Sequence, residues 1–189
     1  MDLDELAQRL RSLPEAAEAP DETVRRAAVA LVLNRRGSEV LLMRRAERDG
    51  DRWSGHIGLP GGHADAEDRD LLATALRESR EELGLELERD ARLIGRLPHV
   101  QAKARGVLLQ MWITPFVFHA STELEPVLGP EAVEAFWFPL ERARAGELAW
   151  THRYQRGQEE RVLPAWRYEE FVVWGLTYEI LSSFLRVAP

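Results

Sequence analysis

One segment constrains this chain more than any other: the stretch from Asp68 or Asp70 to Gly84, which reads as a helix amphipathic in two senses at once. Leu72, Leu76, Ser79 and Leu83 follow the three-and-four spacing of a buried stripe. Each helical residue advances by about 100°, so Glu82 lies about 40° from Glu78 and Glu81 about 60° to its other side. One face anchors the helix and another presents three carboxylates. Asp68 or Asp70 opens it, placing acid at the positive end of the helix dipole. Gly84 should close it, because glycine takes the left-handed C-terminal conformation at little steric cost.

Three like charges this close repel one another and raise each other's pKa unless a cation intervenes. Oxygen ligands of this kind suit Mg²⁺ or Mn²⁺, which bridge readily to phosphates. Arg77 stands four residues before Glu81 and can pair with it. Upstream, Gly61 and Gly62 carry no side chains, so their backbone can approach a metal or a phosphate. Most Glu-rich helices are simply solvated faces. That reading leaves the double glycine and the Arg–Glu pairing unexplained. The chemistry that uses every part is metal-assisted hydrolysis of a phosphoanhydride.

The rest of the chain supplies an α/β frame. Leu3, Leu6, Leu10 and Leu13 predict a short amphipathic helix, followed by an acidic, alanine-rich connector. Residues 24–33 and 39–43 read as strands joined by a turn at 34–37. Residues 46–58 read as a polar loop, ended by Leu59-Pro60-Gly61-Gly62. Extended stretches are expected at 92–97, 107–119 and 135–138, with a basic loop at 98–105 between the first two. Residues 139–145 suit a short helix and 171–185 a longer one. The division expected is 1–23 as N-terminal helix and connector, and 24–189 as one domain including the C-terminal helix.

Composition removes several alternatives. The 189 residues carry a formal net charge of -7, which disfavours general nucleic-acid binding. The absence of cysteine excludes disulfides, thiolate metal sites and cysteine nucleophiles. No run approaches the length of a membrane span, and the acidic start lacks the features of a signal peptide. A cytoplasmic protein is expected, with a homodimer left open. The five histidines show no close metal-ligand spacing, and the tryptophans read as core more readily than as stacking platforms.

Residues 62–85 resemble the Nudix box, G-x5-E-x7-R-E-U-x-E-E-x-G-U, with U aliphatic. Arg77, Glu78, Glu81, Glu82, Gly84 and Leu85 fall into place. Gly62 lies one residue further from Arg77 than the pattern requires, the early glutamate falls on Arg69, and Ser79 replaces an aliphatic residue. Asp68 or Asp70 is the substitute for the early acid. The resemblance implies an α/β/α sandwich of the Nudix type with a mixed β-sheet, and a metal-dependent pyrophosphohydrolase. It makes Glu78 and Glu82 metal ligands, Glu81 a ligand or the base that activates water, Arg77 part of the catalytic set, and a Gly61 or Gly62 carbonyl part of the metal shell.

Leu41-Leu42-Met43-Arg44-Arg45, Gly55-His56-Ile57-Gly58-Leu59-Pro60-Gly61-Gly62 and Trp174-Gly175-Leu176-Thr177 are similar to signatures of the coenzyme A pyrophosphatase branch. That similarity implies CoA or an acyl-CoA as substrate, with Arg45, Lys103 and Arg105 as candidate phosphate contacts. At most one of Arg44 and Arg45 need face the site, since they are neighbours on a strand. Glu131 and Glu134 are assigned structural roles unless the fold turns one inward. ADP-ribose or another nucleoside diphosphate derivative is the alternative substrate, and a noncatalytic nucleotide-sensing module the alternative class.

Overall fold

The computed structural model describes residues 1–14, 24–50, 53–104, 107–156 and 159–189. In chain order the elements are α1 (Leu3–Arg11), β1 (Arg25–Leu33), β2 (Glu39–Arg45), β3 (Ile57–Gly58), β4 (Gly61–His63), α2 (Leu71–Leu83), α3 (Leu87–Asp90), β5 (Ala91–Arg96), β6 (Val100–Ala104), β7 (Val107–Ala120), β8 (Ala132–Pro139), α4 (Leu140–Arg144), β9 (Ala149–Arg156), β10 (Glu159–Tyr168), β11 (Phe171–Trp174) and α5 (Gly175–Val187).

The apolar run of β1 marks a strand buried on both faces. It pairs in parallel with β7 from Arg25↔Met111 to Leu33↔His119. Its other edge is shared. Leu33 pairs with Val40 of β2, while Ala27, Ala28 and Val29 pair with His63, Gly62 and Gly61 of β4. Beyond β2 lie β3 and β8, and β5 and β6 flank β7 antiparallel, giving one mixed sheet.

Alternation along the strands sorts side chains into two cores. Leu31, Leu33, Val40 and Leu42 join Leu6 and Leu10 of α1 and Ile180, Leu181 and Phe184 of α5 on one side. Ala30, Val32, Leu41 and Met43 join Leu83 of α2, Leu85 and Leu87 on the other. Helices therefore cover both faces, which is the α/β/α sandwich expected.

Several local expectations need correction. The glycine pair does not end a loop: with His63 it forms β4, hydrogen-bonded to β1. Part of the supposed basic loop is β6, paired with β7. The helix expected at 171–185 begins only at Gly175. Before it, Phe171 and Val173 are buried and Val172 and Trp174 half-buried, the alternation of a strand, and β11 pairs with β10. Gly175, at φ 61°, turns the chain from strand into helix. Together β9, β10 and β11 form a second, antiparallel sheet that periodicity did not announce. Most of the connector, residues 15–23, lies outside the described residues.

Candidate active site

Helix α2 is fixed at both ends. Asp70 caps its start, its Oδ1 accepting from the Ala73 N–H at 2.8 Å. Gly84, at φ 64°, ends it with its N–H donating to the Arg80 carbonyl at 2.9 Å. The carbonyls of Glu82 and Leu83, which a helix end leaves without internal partners, accept from Gly129 and Val127 at 2.8 Å each.

The three acidic side chains of α2 run from interior to solvent. Glu82 is 1% exposed, Glu78 14% and Glu81 55%. Leu72 and Leu76 are only half-buried, because the helix is rolled to press Glu82 onto β4. The Gly61 N–H donates to Glu82 Oε2 at 2.8 Å, and Arg45 Nη1 donates to Oε1 at 3.2 Å. Burial pushes the Glu82 carboxyl up to about 8; the Gly61 N–H and Arg45 oppose that rise, while Glu78 and Glu131 add to it. Burial likewise raises Glu78 above the usual carboxylate range, against the pull of Arg77.

Arg77 is the hub. Its Nε and Nη2 donate to Asp68 at 3.1 and 3.0 Å, its Nη2 to the His63 carbonyl at 3.0 Å, and its Nη1 to Glu78 at 3.0 Å and Glu81 at 3.1 Å. Those bonds raise the Arg77 pKa further above its usual value, so its charge is permanent. Hydrogen bonding from Arg77, against a smaller effect of burial, holds the Asp68 carboxyl at about 2, helped by the Asp65 N–H and the Thr74 hydroxyl. Of the two acids offered as substitutes for the early glutamate, Asp70 is the helix cap and Asp68 grips the arginine.

The glycines permit this approach. A Cβ on Gly62 would stand 2.3 Å from Glu78 Oε1, and one on Gly61 would meet the Ala28 carbonyl oxygen at 2.3 Å. Backbone thus lies flush against a carboxylate on one side and strand β1 on the other. Among the described residues, no three Asp, Glu or His side chains are arranged to hold an ion as they stand. Arg77 draws Glu78 and Glu81 to itself, and Arg45 takes Glu82. The donor set still fits a hard divalent cation: oxygens only, side-chain-free backbone beside them, and a carboxylate pushed upward by burial and, less, by its acidic neighbours.

Of the strand arginines, Arg45 turns to the site and Arg44 pairs away with Glu134 at 2.8 Å. Glu131 turns inward, 3.0 Å from Arg48 and 4.0 Å from Arg45, and its charge reaches Glu78 and Glu82. Beside this acidic edge opens a cleft of about 800 Å³, bordered by Arg45, Gly61, Gly62, Lys103, Trp174 and Leu176 among others. Lys103 Nζ bonds the Glu179 carboxylate at 3.0 and 3.2 Å. Arg105 lies outside the described residues. His56 and His152 border the cleft. His99 packs edge-on against Trp112, and His119 contacts the Arg35 carbonyl. Trp166 is core, Trp137 packs on the second core and Trp150 is half exposed, whereas Trp174 borders the cleft, as does Trp53. The aromatic surface there is what the sequence reading missed.

A carboxylate helix clasped to a glycine-lined strand edge, opening on a nucleotide-sized cleft, is equipment for hydrolysing phosphoanhydrides. Residues 23–156 match the NUDIX domain model. The chain is 30% identical over 190 residues to a Citrobacter koseri protein named Uncharacterized Nudix hydrolase NudL, covering 96% of this chain and 92% of that one. A Pectobacterium atrosepticum protein of the same name is 32% identical over 167 residues, covering 87% and 83%. Among solved structures, a MutT/nudix family protein from Enterococcus faecalis aligns with TM-score 0.53 at 20% identity, covering 99% of this chain and 70% of that one. A C. elegans Ap4A hydrolase aligns with TM-score 0.51 at 21% identity, covering 65% and 85%. The chain belongs to the Nudix family and is a Nudix pyrophosphohydrolase. Such hydrolases act on small nucleotide substrates and generally use divalent metals such as Mg²⁺ or Mn²⁺. Among the described residues, no helix is long and apolar enough to cross a membrane.

Proposed function

We propose that this hydrolase cleaves the pyrophosphate bond of CoA or an acyl-CoA, giving 3′,5′-ADP and a 4′-phosphopantetheine compound. The observation that carries the reading is the cleft itself. Residues of all three branch signatures border it: Arg45 from the first, Ile57, Gly58, Gly61 and Gly62 from the second, and Trp174, Gly175, Leu176 and Thr177 from the third. The third signature is also latched to the second, since the buried Thr177 hydroxyl donates to the Ile57 carbonyl at 2.9 Å.

Glu78 and Glu82 would hold Mg²⁺ or Mn²⁺, joined by Glu81 or by a Gly61 or Gly62 carbonyl. When bound, the cation supplies neutralisation of phosphate charge and activation of water. Arg77 bonds Glu78 and Glu81, and Glu81, the most exposed of the three, would accept a proton from water where it is not a metal ligand. Arg45 and Lys103, both on the cleft, offer positive charge to the substrate phosphates, and Arg105 is the third candidate contact.

The test is product-resolved hydrolysis of CoA, ADP-ribose and a dinucleoside polyphosphate with Mg²⁺ and Mn²⁺, with Glu82→Gln as control. Release of 3′,5′-ADP from CoA at the highest kcat/KM, abolished by the substitution, is the expected result. Preference for ADP-ribose or the dinucleotide would overturn the CoA assignment.

A further inference from the structure

The second sheet contributes a large part of the cleft wall, and its strands β10 and β11 lie beyond the residues matched by the family model. Along β9, Thr151, Arg153 and Gln155 are exposed, while His152 and Tyr154 are half-buried and border the cleft. This is the two-residue period of a strand with one face sheltered. Opposite them on β10, Leu163 pairs with His152 and Arg161 with Tyr154, and both border the cleft as well.

Trp174, the last residue of β11, completes the surface. Its ring stacks on His152 with centroids 4.0 Å apart at 23°, and Tyr154 lies 5.6 Å from it at 35°. His56 packs against Trp174 from the loop before β3, at 4.8 Å. Phe138 and Trp166 are buried in the core, and half-buried rings such as Phe136 and Tyr168 pack against it, whereas His152, Tyr154, Trp174 and His56 border the cleft. Four half-buried rings gathered on one cleft wall instead offer a polarisable surface that water covers poorly. Burial also lowers the His152 pKa, which favours the neutral ring.

The wall is close to the acidic edge. Five residues of chain separate His56 from Gly61, so the span between them is at most roughly 18 Å. A nucleoside diphosphate fits within that reach, with its ring at one end and its phosphates at the other. Arg161 places a cation beside the wall, which suits the negative charge nucleotides carry.

We propose that His152, Tyr154 and Trp174 form the surface on which the substrate's nucleobase stacks, so that the second sheet, and not the acidic helix, selects ligands bearing a flat aromatic ring. The assignment rests on the nucleotide pyrophosphohydrolase reading but not on CoA being the substrate.

The test is calorimetric titration of the metal-free full-length chain with adenosine 3′,5′-bisphosphate and, separately, with inorganic pyrophosphate, which has no ring. His152→Ala and Tyr154→Ala are compared with the parent, each checked for an unchanged circular dichroism spectrum. Both variants lie on β9 and leave Trp174, the residue that precedes α5, in the chain. Weakening of bisphosphate binding by roughly 5- to 150-fold, the range expected for a stacked base, with pyrophosphate binding unchanged, is the expected result. Steady-state kinetics should show KM rising while kcat stays within about twofold, since this binding persists equally into the transition state. Unchanged bisphosphate affinity in both variants would overturn the proposal, as would equal weakening for pyrophosphate. If CoA is not hydrolysed but bisphosphate binding depends on both side chains, the substrate assignment fails and the wall stands. If CoA is hydrolysed with unaltered KM in both variants, the wall fails and the substrate assignment stands.

Discussion

Replacing Gly62 by alanine sets a methyl group against the Glu78 carboxylate. The Cβ would stand 2.3 Å from Oε1 and 2.5 Å from Cδ, where ordinary contact begins at 3.4 Å. The carboxylate must therefore retreat by roughly 1 Å, a displacement that costs on the order of 100-fold when reacting groups are involved. What retreats is the far end of a flexible side chain, so the fold should lose less than about 1 kcal/mol, a Tm shift of no more than about 4 °C for a chain of this size. Gly61→Ala is the contrasting case. Its Cβ meets backbone, the Ala28 oxygen at 2.3 Å and Val29 Cα at 2.6 Å, at a φ of 152° that side chains rarely adopt. Neither neighbour can yield without breaking the β1–β4 pairing, so a loss of several kcal/mol is expected, roughly 10 °C or more in Tm. The assay pairs thermal melts with kcat/KM and calorimetric Mn²⁺ affinity for both variants. Gly62→Ala should be folded, weak in Mn²⁺ binding and about 100-fold slower. Wild-type turnover and metal affinity in a well-folded Gly62→Ala protein would refute the reasoning, because the carboxylate position would then be immaterial.

Four further outcomes are expected. Because Glu82 is raised from 4.5 to about 8, the folded state binds more protons than the unfolded one between those values, so the metal-free protein should lose stability as pH rises from about 4.5 to 8; melts across that range should show the slope, and Glu82→Gln should flatten it. Asp68 acts with the opposite sign: its carboxyl is held at about 2 against an ordinary 3.8, so its stabilisation is fully present above 3.8 and lost as pH falls through about 2, on the order of 1–2 kcal/mol after solvent screening, a loss that should be missing in Asp68→Asn. Arg77→Met strands Asp68 and Glu78 without their cation and should cost about 2–4 kcal/mol with near-complete loss of turnover, whereas Thr177→Val removes one buried hydrogen bond to Ile57 and should cost about 1–2 kcal/mol, both read by denaturant melts.

The parts of the fold that were legible are those whose signal is local. Asp70, the leucine spacing and Gly84 mark α2 within fifteen residues, and helical geometry alone puts Glu78, Glu81 and Glu82 within one sector. The gradient of burial across those three was not legible, because it depends on β4 lying beneath Glu82, and β4 looks like a loop until it is seen paired to β1. Phe171–Trp174 and α5 merged into one apolar stretch because a short apolar run does not distinguish strand from helix. The second sheet escaped for a different reason. On β9 and the first half of β10 the sheltered positions include His152, Tyr154, Arg161 and Leu163, mostly polar residues that an apolar alternation test passes over. The same mixed character that hid the strands is what makes them suitable for lining a cleft.

The clasp between Arg77 and Asp68 bears on how this family member tolerates change. The stretch between His63 and Leu71 does not hold α2 in place by itself: besides the Asp70 cap, Arg77 grips the His63 carbonyl on one side of the stretch and Asp68 within it. The spare residue in this chain's box is thereby taken up as slack between two fixed points, and lengthening a loop costs little entropy. Drift in loop length is decoupled from the catalytic register as long as some acid remains within the arginine's reach. For an engineer, that makes the exposed Ala66 and Glu67, between the bonded Asp65 and Asp68, the place to insert residues or a reporter.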